Sequence, residues 1–230
     1  MTSQNPGIFR DFAESRNIAF HEIDLHAGDP IPKLDDYDGL WVMGGSMDVW
    51  EEDKYPWLVE EKQAIRHAVE DLKMPFLGIC LGHQPVAEAL GGRAEKMPNH
   101  EIGLFEIKPT LEGHNHPLLK NFDVSDKWVN VHLVEITKAP EGSIILASSN
   151  QCSNHVMQVS ESAYSCQFHP EVCGHTFEGW MCIPGIPSGL ENLIGKEGLV
   201  NFQDELTMNL PANNKASHTL FNNWCDLVFN

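Results

Sequence analysis

The heptapeptide Gly78-Ile79-Cys80-Leu81-Gly82-His83-Gln84 sets a cysteine between two glycines, each two residues away. It follows an apolar run over residues 75–79 and precedes a helical pattern over 81–90. A sharp strand-to-helix turn of this kind forces its middle residue into a strained conformation and leaves that residue exposed to a ligand. The glycines make room for neighbouring backbone. A thiol at this point sits at the start of a helix, where the dipole favours thiolate. The amide of Leu81 is then placed to donate to an oxyanion.

A thiolate nucleophile needs an imidazole to move protons, and the imidazole needs an acid to orient it. His169-Pro170-Glu171 holds both within three residues, directly after a strand expected over 163–168. Ligands of parallel sheets bind at the carboxyl ends of the strands. The strand ending at Ile79 and the one ending at Phe168 would therefore bring Cys80 to His169. A competing reading uses the same histidine. Cys166, His169, Cys173 and His175 form a Cys-x2-His-x3-Cys-x-His pattern whose residue types suit zinc. That would make the chain a zinc-stabilised, non-enzymatic binding module, and it gives the turn at Cys80 no role.

The elements that must position these residues alternate in type. A helical face over 6–17 is followed by a strand expected over 18–23. A buried strand over 39–43 stops at Gly44-Gly45. An amphipathic helix is expected over 55–72, then the strand at 75–79 and its helix. That order predicts parallel strands with helices on both faces. Short strands follow over 104–108, 127–132, 144–147, 155–159 and 163–168. Residues 181–189, with Pro184, Pro187, Gly185 and Gly189, read as a loop. Helices are expected over 198–210 and 212–229.

The 230 residues suffice for one substantial core, and 42% hydrophobic with 21% charged residues is a globular composition. The net charge of −18 argues against nucleic acid and against a polybasic membrane contact. No apolar run reaches the roughly 20 residues of a membrane helix, and the first ten residues lack a signal-peptide core. A cytoplasmic location is expected, with the six cysteines as free thiols.

Gly-Ile-Cys-Leu-Gly-His-Gln at 78–84, with Gln167-Phe168-His169-Pro170-Glu171 later, resembles the class I (triad) glutamine amidotransferases. Trp41-Val42-Met43-Gly44-Gly45-Ser46-Met47, Lys54-Tyr55-Pro56-Trp57-Leu58 and Glu101-Ile102-Gly103 are similar to the stand-alone, GMP-synthase-like type 1 group. The resemblance covers roughly residues 6–175. It implies an α/β fold of flavodoxin-like kind, with a mostly parallel central sheet and helices on both faces. The amidotransferase domain would span 1–175, and 176–230 would be a helical extension packed on it. It further implies Cys80 as nucleophile, His169 as general base and acid, and Glu171 as orienter. Gly44, Gly45 and Leu81 would form the oxyanion hole, and Gln84 and His132 would bind substrate. The activity implied is attack on the side-chain amide of glutamine, a γ-glutamyl thioester, release of ammonia, and hydrolysis by water, with no cofactor or metal. The ammonia would pass to a separate synthetase subunit. The alternative is a hydrolase of γ-glutamyl amides or peptides without ammonia transfer, because the acyl-enzyme is the same.

Three departures from the family pattern stand out. The family begins with a buried central strand, whereas Met1-Thr2-Ser3-Gln4-Asn5 leads almost directly into the first helix, so that strand is expected to be missing. A His-Gly-Asp-like turn near the glutamine pocket is replaced by Val131-His132-Leu133-Val134, without the acid. Pro85 lies in the helix after Cys80, in the first turn, where proline is tolerated.

Overall fold

The computed structural model of the chain describes residues 6–229. Three strands carry the parallel part of its main sheet: β1 (Leu40–Val42), β2 (Phe76–Ile79) and β8 (Ala163–Cys166). β2 lies between the other two, in register Leu40↔Phe76 with β1 and Ile79↔Cys166 with β8. The sheet continues antiparallel through β7 (Val156–Gln158), β6 (Ile144–Ser148) and β4 (Lys108–Pro109), giving the order β1-β2-β8-β7-β6-β4. A separate antiparallel pair is formed by β3 (Arg93–Glu106) and β5 (Lys127–Lys138). β3 is longer than the strand expected over 104–108, because pairing with β5 extends it back across a bulge between Lys96 and Glu101.

The parallel strands are apolar on both faces, and their period of two sorts residues between two cores. Leu77, Ile79, Tyr164 and Cys166 face one side. There they pack against Phe9 and Ala13 of α1 (Phe9–Ser15) and Leu220, Phe221 and Trp224 of α6 (Ile186–Val228). Val42, Phe76 and Ala163 face the other side. They meet Ile65 of α2 (Trp57–Arg66) and Val86 and Ala87 of α3 (His83–Ala89). The helix expected over 55–72 continues beyond α2 as a π turn over His67–Asp71. A short α4 (Leu111–Asn115) covers β6.

The C-terminal region differs from its sequence pattern. α5 (Thr176–Met181) and the start of α6 occupy much of the expected loop, and Pro187 stands in the first turn of α6, where its missing N–H costs no helical bond. The two helices expected on either side of Pro211 run as one element through that proline. The break lies earlier, at Gly195, whose backbone is non-helical (φ 74°, ψ 169°). The first half of α6 packs with α5 over β3 and β5, through Leu190, Phe202 and Leu206 against Phe177, Ile102 and Val129.

The strand expected over 18–23 is not formed. Among the described residues these lie in no ladder, because a strand requires a neighbour and β1 pairs there with β2 alone. An open groove of about 1280 Å³ separates them from the outer edge of β1. The expected absence of the family's first strand concerns residues 1–5, which lie outside the described residues. Glu61 lines this groove with one buried carboxyl oxygen that has no partner. Burial pushes its pKa up to about 7 against the pull of neighbouring Lys62.

Candidate active site

Cys80 stands at the carboxyl end of β2 with φ +52°, in the left-handed region that costs a cysteine strain. Two close approaches hold that turn. A Cβ on Gly78 would come within 2.5 Å of the Gly82 carbonyl oxygen, and one on Gly82 would collide with the backbone of Val42. Both positions therefore exclude side chains for reasons of space. Beyond a single 3-10 turn over Cys80–Gly82, α3 begins at His83. Pro85 sits near its start, as its position in the sequence allows.

β8 delivers the second group. After Cys166 the chain passes Gln167 and Phe168 to His169, whose Nδ1 lies 2.7 Å from Glu171 Oε1. Both side chains are buried. Burial opposes charge on His169, but the Glu171 carboxylate and the Cys80 thiolate together raise its pKa well above the ordinary value. Trp180 closes one side of the ring edge-on at 5.2 Å. Glu171 is tied to the start of the described chain, since its carbonyl accepts from Ile8 N at 2.9 Å.

The loop after β1 forms the facing wall. A Cβ on Gly44 would lie 3.0 Å from His169 Cε1 and 3.6 Å from Cys80 Cβ. One on Gly45 would overlap the Leu81 side chain. Gly44 thus lies against both Cys80 and the imidazole, and Gly45 packs on the side chain of Leu81, the residue after the thiol. Behind the thiol, Gln167 Nε2 is 3.7 Å from Cys80 Sγ, and the Gln84 amide nitrogen is 3.4 Å from Gln167 Oε1.

His132 is a correction. Its Nδ1 faces the Val134 carbonyl at 3.0 Å and its Nε2 faces Glu101 Oε2 at 3.0 Å, so neither ring nitrogen is available to a substrate. The same Glu101 oxygen lies 3.0 Å from His155 Nε2, and Ser149 Oγ donates to the other at 2.6 Å. Burial raises the Glu101 pKa, but the three hydrogen bonds overcome it and hold the carboxyl far below the usual range. His132 meets this carboxylate across the strand pair, where Glu101 and His132 are in register. The ligand atoms of Glu101, His132 and His155 lie within 4.8 Å of one another, close enough to share a cation. Glu101 Oε2 already bridges both rings at hydrogen-bond distance.

The zinc pattern read from the sequence does not come together. The Cys166 thiol is buried against the Phe168 carbonyl, Cys173 lies beside Thr176, and His175 is 93% exposed beside Glu178. Sequence reasoning quoted Glu101 and Gln167 within family motifs without giving either a role, and it missed His155.

A sequence model of the family described as glutamine amidotransferase class-I matches residues 8–181. The glutamine amidotransferase-like protein YfeJ of Salmonella typhimurium is 30% identical over 183 residues, which cover 76% of this chain and 74% of that protein. One subunit of the glutamine-hydrolysing GMP synthase of Saccharolobus solfataricus is 34% identical, over 65% of this chain and 75% of its own length. The chain spans only about a quarter of the GMP synthases it matches from Leptospira interrogans (25%) and Ruthia magnifica (23%). A glutamine amidotransferase structure from Methylobacillus flagellatus superposes with a TM-score of 0.85 at 26% identity, covering 99% of this chain and 92% of that one.

Proposed function

The chain belongs to the glutamine amidotransferase class-I family, whose members are cysteine-dependent amidohydrolases, and from that membership we propose that Cys80 hydrolyses the side-chain amide of glutamine. The observation that carries this reading is the His169–Glu171 pair, joined at 2.7 Å beside a cysteine held at φ +52°. His169 takes the thiol proton, and Cys80 Sγ adds to the amide carbon. The oxygen becomes an oxyanion facing the amides of the Gly44-Gly45 loop and Leu81. His169 returns the proton to the departing nitrogen, and ammonia leaves a γ-glutamyl thioester. Water, deprotonated by His169, then cleaves the thioester to glutamate and free thiol. Glu171 holds the imidazole tautomer throughout and stays ionised.

In this reading the ammonia passes to a separate synthetase subunit, which the likeness to a protein named as a synthase subunit supports. The second reading, hydrolysis of γ-glutamyl amides or peptides with no acceptor, uses the same thioester. A panel of γ-glutamyl compounds assayed for ammonia or amine release, with Cys80→Ser as control, separates the two. Preference for glutamine, raised by a synthetase partner, supports the first. Preference for a larger γ-glutamyl amine supports the second. Release that survives Cys80→Ser refutes both.

A further inference from the structure

We propose that Glu101 is a positioning residue for this site, holding Cys80 and His169 in register through two buried imidazoles; the inference rests on the catalytic reading above. Glu101 touches neither reacting group. Its Oε2 bridges His132 on β5 and His155 just before β7, each at 3.0 Å. Each of those residues lies one short step of backbone from the chemistry.

On the His132 side, β5 is the rail against which both partners are set. The Val129 carbonyl accepts from His169 N at 2.8 Å, and the Val131 carbonyl lies 4.0 Å from Cys80 Sγ. On the His155 side, the His155 carbonyl accepts from Gln167 N at 2.9 Å. Gln167 in turn reaches the thiol with its side chain and precedes His169 by two residues. One carboxylate therefore joins the strand that holds the thiol and the base to the segment that delivers the base. The two sheets meet at this point, and the bulge that ends at Glu101 aims its side chain between them.

Both nitrogens of His132 are engaged, one by the Val134 carbonyl and the other by the Glu101 carboxylate, so the ring is pinned at two points. Ser149 Oγ fixes the second carboxylate oxygen, so the side chain cannot rotate away. The elbow helix is anchored to the same region. His83 Nε2 lies 2.8 Å from the carbonyl of Asn154, the residue before His155, and its Nδ1 lies 2.8 Å from Ser165 Oγ on β8. Burial pushes the pKa of His83 down to about 3, so the ring is neutral.

The test compares Glu101→Gln and Ser149→Ala with the unmodified chain in two assays. One is the rate at which iodoacetamide alkylates Cys80, read per folded molecule by mass spectrometry. The other is kcat and KM for glutamine hydrolysis. Glutamine need not be the substrate for the first assay to work, so failure of the proposed activity is distinguishable from failure of this inference. The expected result for Glu101→Gln is a loss of about tenfold in both kcat and alkylation rate, with KM within about twofold. Ser149→Ala, which keeps the carboxylate but frees it, should lose about threefold in the same direction. A merely structural role lowers the melting temperature and leaves the alkylation rate of folded molecules unchanged, which overturns the proposal. If Glu101→Gln does not fold, Ser149→Ala decides, and its reacting at the unmodified rate overturns the proposal equally.

Discussion

His169 and Glu171 are joined across a single proline by a 2.7 Å contact between Nδ1 and Oε1, while Glu171 Oε2 is buried without a partner. Alternate residues of an extended stretch point the same way, and Pro170 stiffens the backbone between them. The carboxylate thus spends one oxygen on the imidazole, whose Nε2 is turned toward the thiol.

Replacing that acceptor should disable the imidazole while leaving its shape. Glu171→Gln is expected to lower kcat by roughly a hundredfold or more, since general acid–base contributions run to about 10²–10⁴. Because members of a triad act as a unit, Cys80→Ala with Glu171→Gln should be no worse than Cys80→Ala alone. Steady-state kinetics of the single and double variants check this, and full turnover in Glu171→Gln removes Glu171 from the mechanism.

A diazoketone analogue of glutamine should label Cys80 alone. Burial pushes the thiols of Cys152 to about 12 and Cys225 to about 11, and Cys166 well above its ordinary value, so all three are protonated at neutral pH. Cys173 and Cys182 are more accessible, but neither lies beside His169. Peptide mapping reads the outcome, and labelling dominated by Cys166 or Cys173 would refute the assignment.

The end of α6 should prove inseparable from the sheet. Phe221 and Trp224 are each 1% exposed and belong to the same core as Phe9, Leu77 and Ile79. Trp224→Ala is expected to cost about 3–5 kcal/mol in urea unfolding. Deleting residues 198–230 should expose the apolar face of the sheet and cause aggregation. A soluble, cooperatively folded truncation would make the extension an independent appendage.

Glu61 should give the fold a pH dependence of its own. Its folded-state pKa of about 7 exceeds the ordinary 4.5, so the folded chain holds this proton more tightly than the unfolded one. The stabilisation is complete below about pH 4.5 and is lost as pH rises through 7. Relative to Glu61→Gln, the unmodified chain should lose about 1–3 kcal/mol between pH 5 and pH 8. Urea midpoints at the two pH values measure the difference, and parallel curves for the two proteins would refute it.

The glycines around Cys80, the His-Pro-Glu triplet and the apolar runs of β1, β2 and β8 were legible because each is a local pattern. A strand buried on both faces reads as continuous hydrophobicity, and a tight turn declares its glycines. Other features were decided by contacts between residues far apart in the chain. The strand expected over 18–23 had the right residues, yet a strand exists only where a neighbour offers its backbone, and here a groove intervenes. The helix pair expected around Pro211 became one element because packing on the sheet outweighs the preference of a single residue. His132 carried the right chemistry for a substrate contact. The direction of its ring was set by Glu101, thirty-one positions away and opposite it only once β3 and β5 pair. The sequence by itself determined which groups could react, because the proposed nucleophile, base and orienter lie within two short segments. Which groups hold those segments together was decided only by the tertiary structure, because a buried carboxylate takes whatever donors the folded chain brings to it.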